Sequence, residues 1–382
     1  MKKILRGLGI GAMLLGMLTV LLACLAVANE DVRFRYKNRA AWADGAADAR
    51  RVRTPEGLLE LMAARPKMAS VAVWTIGDMD GGVFQNADEV RPVAGVTKVL
   101  VAATLARALA AGEKQPGKAL SLDRIEHFHF KGADMGSHHT AMARLGITTT
   151  VTLDQAAQAM LRWGDPASAD TLMFELGRPA LEAEVARLGI EGLFAPAPYS
   201  ADLVRLIEDG KPSDQVDLDR SWAIGKRLLT DEAYGRRLRL RAEQLGMPPL
   251  LELYAHRHAS SHRGTARAYA LLMERIATDE TNWGETMRRW LSWAMAMAHV
   301  NSRWDAYGTK SGSAVSVIST TTFARPIDGG TAVSALFFED LPTMVWLAIN
   351  EDYPYQDVEQ SLLADPDYRR DFAARFGSDG GR

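Results

Sequence analysis

Two lysines, one aspartate and a set of paired histidines are the side chains whose type and spacing could do chemistry in this sequence. Lys98 follows Gly95-Val96-Thr97 and opens an Ala- and Leu-rich run, Val99 to Ala111, that is apolar on nearly every face and stops at Gly112. Such a run describes a helix buried in the middle of a large protein, with a cation in its first turn. A buried ammonium there either forms an ion pair, bonds to backbone carbonyls or serves a ligand. Asp165 stands directly before Pro166, at a helix start, so its carboxylate reads first as an N-cap and second as a ligand contact. Lys310, Ser311 and Ser313 belong to Gly308-Thr309-Lys310-Ser311-Gly312-Ser313, ahead of an alternating apolar run; a lysine at that place either meets a ligand or guards a sheet edge. Ser168 falls mid-helix, where a hydroxyl ordinarily bonds its own backbone.

The histidines, His127 with His129, His138 with His139, His256 with His258, and His262, invite a metal reading. A His-x-His pair puts both rings on one face of a strand, but the sequence positions no third ligand, so no metal is expected. The single cysteine, Cys24, lies in an N-terminal apolar segment, which leaves the body without a disulfide, a Cys-based zinc site or thiol chemistry. No cofactor is expected. With Lys+Arg 45 against Asp+Glu 47, the chain lacks the basic field that nucleic-acid binding needs. Trp283, Trp290, Trp293 and Trp304 read as core or cleft wall, Trp290 and Trp293 being three apart on one helix face.

A chain of 382 residues with 47% hydrophobic composition can bury a large core, as one big domain or two lobes sharing a cleft. Lys2, Lys3 and Arg6, the apolar stretch to Ala28 and the Ala26-Val27-Ala28 ending make 1–28 a signal peptide or a membrane anchor, with Cys24 as a third option, a lipidation site. The expected location is exported, periplasmic or tethered to the membrane. Residues 29–66 read as linker and entry helix, the helix at Pro55 to Ala64. From 67 onward a single α/β (α+β) domain is expected: an antiparallel sheet flanked by helices, with one lobe from 67–95 and 300–382 and a helical lobe from 96–299. Ala69–Ile76 and Val83–Gln85 form a hairpin around Gly77–Gly82. Thr152-x-x-Gln155 is a capping box opening a helix that ends near Trp163; Pro166 and Pro179 begin two more, closed by Gly177 and Gly189. The prolines at 196, 198, 212, 248 and 249 suggest irregular structure and short helices over 194–263, as an insertion. Helices at Thr265–Ala277 and Glu285–His299 precede antiparallel strands at Val315–Phe323 and Thr331–Phe338, a third strand candidate at Met344–Ile349, and a C-terminal helix from Val358 to Phe376. The sheet is thus assembled from both chain ends.

In that order and context the chain resembles the serine β-lactamase and penicillin-binding protein superfamily, whose landmarks are Ser-x-x-Lys, Ser-Asp-Asn and Lys-Thr/Ser-Gly. Gly95-Val96-Thr97-Lys98 is similar to the first, with glycine where the serine belongs. Gly164-Asp165-Pro166 looks like the second, with only the aspartate kept, and Lys310-Ser311-Gly312 matches the third. The deacylating Glu-x-x-Leu-Asn of class A enzymes has no placed counterpart; Glu191-Gly192-Leu193-Phe194-Ala195 is the nearest string and lies too close to the second landmark.

The resemblance implies that the nucleophile is gone while the groove around it persists. Gly95 and Ser313 would supply the two N–H donors of an oxyanion hole, Lys310 and Ser311, with Gly312 beside them, would meet an acidic group, and the strand could pair with an extended peptide. The implied partner is a peptidoglycan-type peptide or a β-lactam-like small molecule held without cleavage. Two alternatives stay open: a hydrolase using a non-standard nucleophile, and a membrane-tethered scaffold with a vestigial cleft.

Overall fold

A computed structural model describes residues 39, 43, 45–209, 217–245 and 262–377. Segment 1–28 with Cys24 lies outside the described residues, as do His256 and His258. Among the described residues no helix is long and apolar enough to cross a membrane.

Helices α1 (Ala46–Arg51) and α2 (Pro55–Ala64) lead into strand β1 (Ala69–Thr75), which turns through Ile76-Gly77 into β2 (Asp78–Gln85). The turn is shorter than the glycine cluster suggested. Gly77 alone takes the left-handed φ of +90°, whereas Gly81 and Gly82 lie within β2, an outer strand where missing side chains cost little packing. Short ladders join β3 (Arg91–Pro92) to β6 (Arg263–Gly264) and β4 (Ala119–Ser121) to β5 (Thr150–Thr152). Late in the chain β7 (Trp304–Ala314), β8 (Val317–Pro326) and β9 (Ala332–Phe338) complete one antiparallel sheet with β1 and β2, in the order β2-β1-β9-β8-β7. The two chain ends do build one sheet, and β7 is its free edge. The register sets Lys310 opposite Thr321 and Val71 opposite Leu336.

Side chains alternate across this sheet as its period of two requires. Val71, Val73, Leu336 and Phe338 pack on one face against α2 and the C-terminal helices; Ala72, Trp74, Ala335 and Phe337 pack on the other against the helical lobe. Through the middle of that lobe runs α3 (Lys98–Ala110), ten of whose thirteen residues are buried, in keeping with its lack of a polar face. Around it stand α4 (Leu122–Glu126), α5 (Ser137–Arg144), α6 (Leu153–Gln158), α7 (Pro166–Leu176), α8 (Arg178–Leu188), α9 (Tyr199–Asp209), α10 (Leu218–Thr230), α11 (Glu232–Leu245), α12 (Ala266–Thr278) and α13 (Asn282–Leu291). Trp290 lies in α13, but the following turn tightens to a 3-10 helix, Ser292–Ala296, so Trp293 does not continue its face.

Three expectations need correction. The described parts of 194–263 form full-length amphipathic helices, α9 to α11, because Pro196 and Pro198 sit in the connection before α9 and interrupt nothing. Met344–Ile349 is not a strand. It lies inside α14 (Thr343–Asp352), which buries Val345, Trp346, Ala348 and Ile349; six consecutive apolar residues fit a buried helix as well as a strand, and length decides. The C-terminal helix is two, α15 (Pro354–Ala364) and α16 (Pro366–Phe376), broken where Asp365 caps the second.

The capping box at Thr152 is complete: its hydroxyl accepts from Gln155 N at 3.1 Å, and Gln155 Oε1 accepts from Thr152 N at 2.9 Å. Thr152→Ala should cost about 1 kcal/mol in denaturant unfolding, with Thr152→Ser close to wild type. An unchanged midpoint in the alanine variant contradicts this assignment.

Candidate active site

The first turn of α3 and the edge strand β7 meet at two glycines. A 3-10 turn, Ala94–Thr97, hands over to α3 so that Lys98 is the first helical residue and Gly95 stands one turn before it. β7 crosses this turn so closely that a Cβ on Gly312 would lie 2.4 Å from Gly95 N. Position 312 therefore admits only glycine. Position 95 is roomier: a Cβ there would lie 3.3 Å from Gly312 Cα, 3.4 Å from the Ser311 carbonyl oxygen and 3.6 Å from Lys98 Nζ. Any side chain at 95 would start toward the lysine.

Both lysines are buried. Lys98 Nζ donates to the Gly164 carbonyl at 2.7 Å and sits 4.4 Å above the centre of the Tyr199 ring, a cation–π contact. Gly164 can turn that carbonyl inward because it ends the π turn Ala159–Trp163 in the left-handed conformation, φ +77°. Lys310 Nζ donates to the Ser311 carbonyl at 2.5 Å and lies 4.0 Å from where a Cβ on Gly164 would be. Among the described residues neither ammonium has a carboxylate within ion-pair distance. Burial pulls Lys98 down to about 8, against the charges of Asp165, Asp170 and Asp134. Burial, and then the charge of Lys98, bring Lys310 down to about 7.

Around them is a cavity of about 400 Å³ whose wall includes Gly95, Lys98, Tyr199, Lys310, Ser311 and Ser313. Gly312 and Gly164 also line it, so six of the seven expected site positions meet in one place, the seventh being Asp165. Asp165 does not reach the wall. Its carboxylate is fully buried, accepts from the Ala167 and Ser168 backbone N–H groups at 3.0 and 3.2 Å and from the Ser168 hydroxyl at 2.5 Å, and lies 3.1 Å from His138 Nδ1. A carboxylate with those partners has no capacity left for a ligand; it acts on the cavity through its charge on Lys98 and by adjoining Gly164. Ser168 is spent on Asp165 and is no substitute nucleophile.

Tyr199 and Asp170 were not singled out by sequence, and His262 was weighed there only as a metal ligand. The Tyr199 hydroxyl shares a hydrogen bond with that of Thr97, and its ring stacks on His262 at 3.9 Å. Asp170 accepts from Tyr199 N at 2.6 Å and Ser200 N at 2.8 Å, capping α9 from a distance, and burial raises its carboxyl to about 7. The region read as an insertion therefore lays an aromatic ring over Lys98. The available signal was Pro196 and Pro198 marking a helix start at 199. Trp346, on the helix mistaken for a strand, closes the other side by donating to Ser313 Oγ at 3.0 Å.

The chain matches the model of the β-lactamase enzyme family over residues 56–307, a span that includes Gly95, Lys98 and Asp165 and ends before Lys310. No curated protein matches it. Solved structures similar to it include a class A β-lactamase from Mycobacterium abscessus, at 13% identity and TM-score 0.49, covering 79% of this chain and 98% of that one. A β-lactamase from Sphaerobacter thermophilus is 15% identical with TM-score 0.49, covering 84% and 97%. A mutant of PBP-A, as its acyl-enzyme complex with penicillin G, is 12% identical with TM-score 0.49, covering 80% and 96%.

Because both lysines titrate below their ordinary value of 10.5, the unfolded chain binds more protons than the folded one from about pH 7 to 10.5. Stability should rise with pH across that window, the full cost of burying charge being present below it. Lys310→Met should raise the unfolding free energy by roughly 1–4 kcal/mol at pH 7, and by less as pH approaches 10.5. Denaturant titrations at the two pH values measure this, and a variant less stable than wild type at pH 7 contradicts it.

Proposed function

The chain belongs to the β-lactamase enzyme family, and from that premise we propose that it keeps the family's cleft without acyl-serine chemistry and binds a peptidoglycan-type peptide or β-lactam-like ligand non-covalently. The observation that carries the proposal is the direction of the missing side chain. A Cβ at Gly95 would stand 3.6 Å from Lys98 Nζ, so a hydroxyl on it would meet the group suited to take its proton, and glycine offers none. Nearby hydroxyls are already engaged: Ser168 is committed to Asp165, and Thr97 and Tyr199 are committed to each other. Loss of a nucleophile from a unit of this kind costs several orders of magnitude in rate.

What remains favours binding. Among the described residues neither buried ammonium is paired with an acid, so where both are protonated, below about pH 7, they make a positive floor that a ligand carboxylate would neutralise. The free edge of β7 offers backbone groups to an extended peptide, with Ser311 and Ser313 beside them. The amides of Gly95 and Ser313 are the donors proposed for a ligand carbonyl or carboxylate oxygen. A basic, apolar leader-like segment at 1–28 supports a proposed setting outside the cytoplasm, where such ligands occur.

A muropeptide with a free terminal carboxylate should raise the Tm of the wild-type protein, and Lys310→Met should abolish the shift. Its affinity should be highest below pH 7, where Lys310 carries its charge, and fall by up to about tenfold per pH unit above that. No shift at saturating ligand contradicts the proposal. Gly95→Ser should gain slow labelling by a fluorescent penicillin, since its Cβ asks β7 to yield by only a few tenths of an ångström, and Lys98→Met in that background should remove the label.

A further inference from the structure

Behind the cavity wall, two histidines that are nine residues apart in sequence turn toward one carboxylate. α4 ends at Glu126, and the chain continues in a tight helical turn: His129 N donates to the Glu126 carbonyl at 3.2 Å. The pair His127 and His129 is therefore not on a strand, and its two rings part. His127 Nδ1 goes back to the Asp123 carbonyl at 2.6 Å, while His129 Nδ1 lies 3.2 Å from Glu126 Oε2. Phe128 and Phe130, buried on either side, hold the turn in place, Phe128 stacking on Phe174 at 5.3 Å. From the first turn of α5, His138 brings Nε2 to 3.1 Å from Glu126 Oε1.

Each ring has a buried carboxylate at its other nitrogen. His138 Nδ1 lies 3.1 Å from Asp165, and His129 Nε2 lies 3.7 Å from Asp134, whose side chain is 3% exposed. Asp134 is itself fixed by the backbone N–H groups of Gly136 and His138 at 3.0 and 2.8 Å. Carboxylates placed behind imidazoles in this way set the tautomer and aim the remaining nitrogen, the arrangement found around metal-ligating histidines. The remaining nitrogens and Glu126 converge, with all ligand atoms within 4.8 Å of one another, and Glu126 is open to solvent on one side.

We propose that Glu126, His129 and His138 form a binding site for a zinc-class divalent ion, with Asp134 and Asp165 orienting the two histidines. Two imidazole nitrogens and one carboxylate oxygen are a borderline-soft set that suits zinc and its neighbours over magnesium or calcium. A tetrahedral ion with bonds of about 2.0–2.1 Å needs its ligands about 3.3 Å apart, so the site closes by about an ångström on binding, and water takes the fourth position on the solvent side. The ion is placed to hold the cavity from behind. Asp134 belongs to the wall, and Asp165 adjoins Gly164, whose carbonyl receives Lys98. This site does not depend on the non-covalent reading of the cleft, and its test uses no cleft ligand.

The protein, freed of metal with a chelator, is titrated with zinc chloride against a competing chromophoric chelator, and separately with cobalt chloride, whose visible absorption reports four-coordinate nitrogen and oxygen ligation. One ion per chain should bind. Glu126→Gln and His129→Asn, both at part-exposed positions, should each weaken zinc by tenfold or more and remove the cobalt band, while His139→Asn, at the exposed next position on α5, should leave both unchanged. Circular dichroism and Tm of each metal-free variant show that it is folded. Failure of the wild-type protein to bind zinc stoichiometrically at micromolar concentration, or equal binding by folded Glu126→Gln and His129→Asn, overturns the proposal.

Discussion

The site depends on the contact between Gly95 and Gly312, where the backbone of the turn before α3 lies against the backbone of the edge strand. A side chain at 312 would drive the two apart, since its Cβ would come within 2.4 Å of Gly95 N. Because they touch, the first turn of a buried helix and the end of a sheet face one cavity, and Lys98 and Lys310 reach it from opposite elements. The five-stranded sheet, assembled from both ends of the chain, and the central helix α3 exist in this geometry so that the contact can form.

Electrostatics follow from that packing. Among the described residues neither buried ammonium is paired with an acid, the charge of Lys98 lowers the proton affinity of Lys310, and each donates to a backbone carbonyl, Lys98 to that of Gly164 and Lys310 to that of Ser311. Such an arrangement is a liability for folding and an asset for holding an anion, the kind of local conflict that marks a functional site. The surrounding carboxylates are arranged to avoid neutralising it. Asp165 is used by a helix cap and His138, and Asp170 caps α9. Their fields reach Lys98 without either forming an ion pair with it.

Much of the frame was legible from local signals. The capping box at Thr152, Pro166 after Asp165 and the stops at Gly177 and Gly189 each have a local physical cause, and each is where the sequence placed it. The three motifs fell on a helix start, an inter-helix turn and a strand, and the fold brings Gly95, Lys98, Gly164 and Lys310 around one cavity. What failed was either locally ambiguous or long-range. Met344–Ile349 is a short apolar run whose periodicity favours no element. The prolines of 194–263 looked like disruption, yet those among the described residues punctuate the approach to α9. Tyr199 over Lys98, and Glu126 between His129 and His138, join residues whose proximity no spacing encodes, although Glu126-x-x-His129 is a helical ligand spacing and was the one local hint of a third ligand.

The central proposal is that the cleft keeps cations and backbone amides suited to an acyl group and lacks the nucleophilic oxygen that would form the ester. Intact-mass spectrometry of the unmodified protein after prolonged incubation with excess benzylpenicillin tests it most directly. The account predicts a mass identical to that of untreated protein. A stoichiometric increase equal to the mass of the antibiotic, mapped to a residue of the cavity, would contradict it.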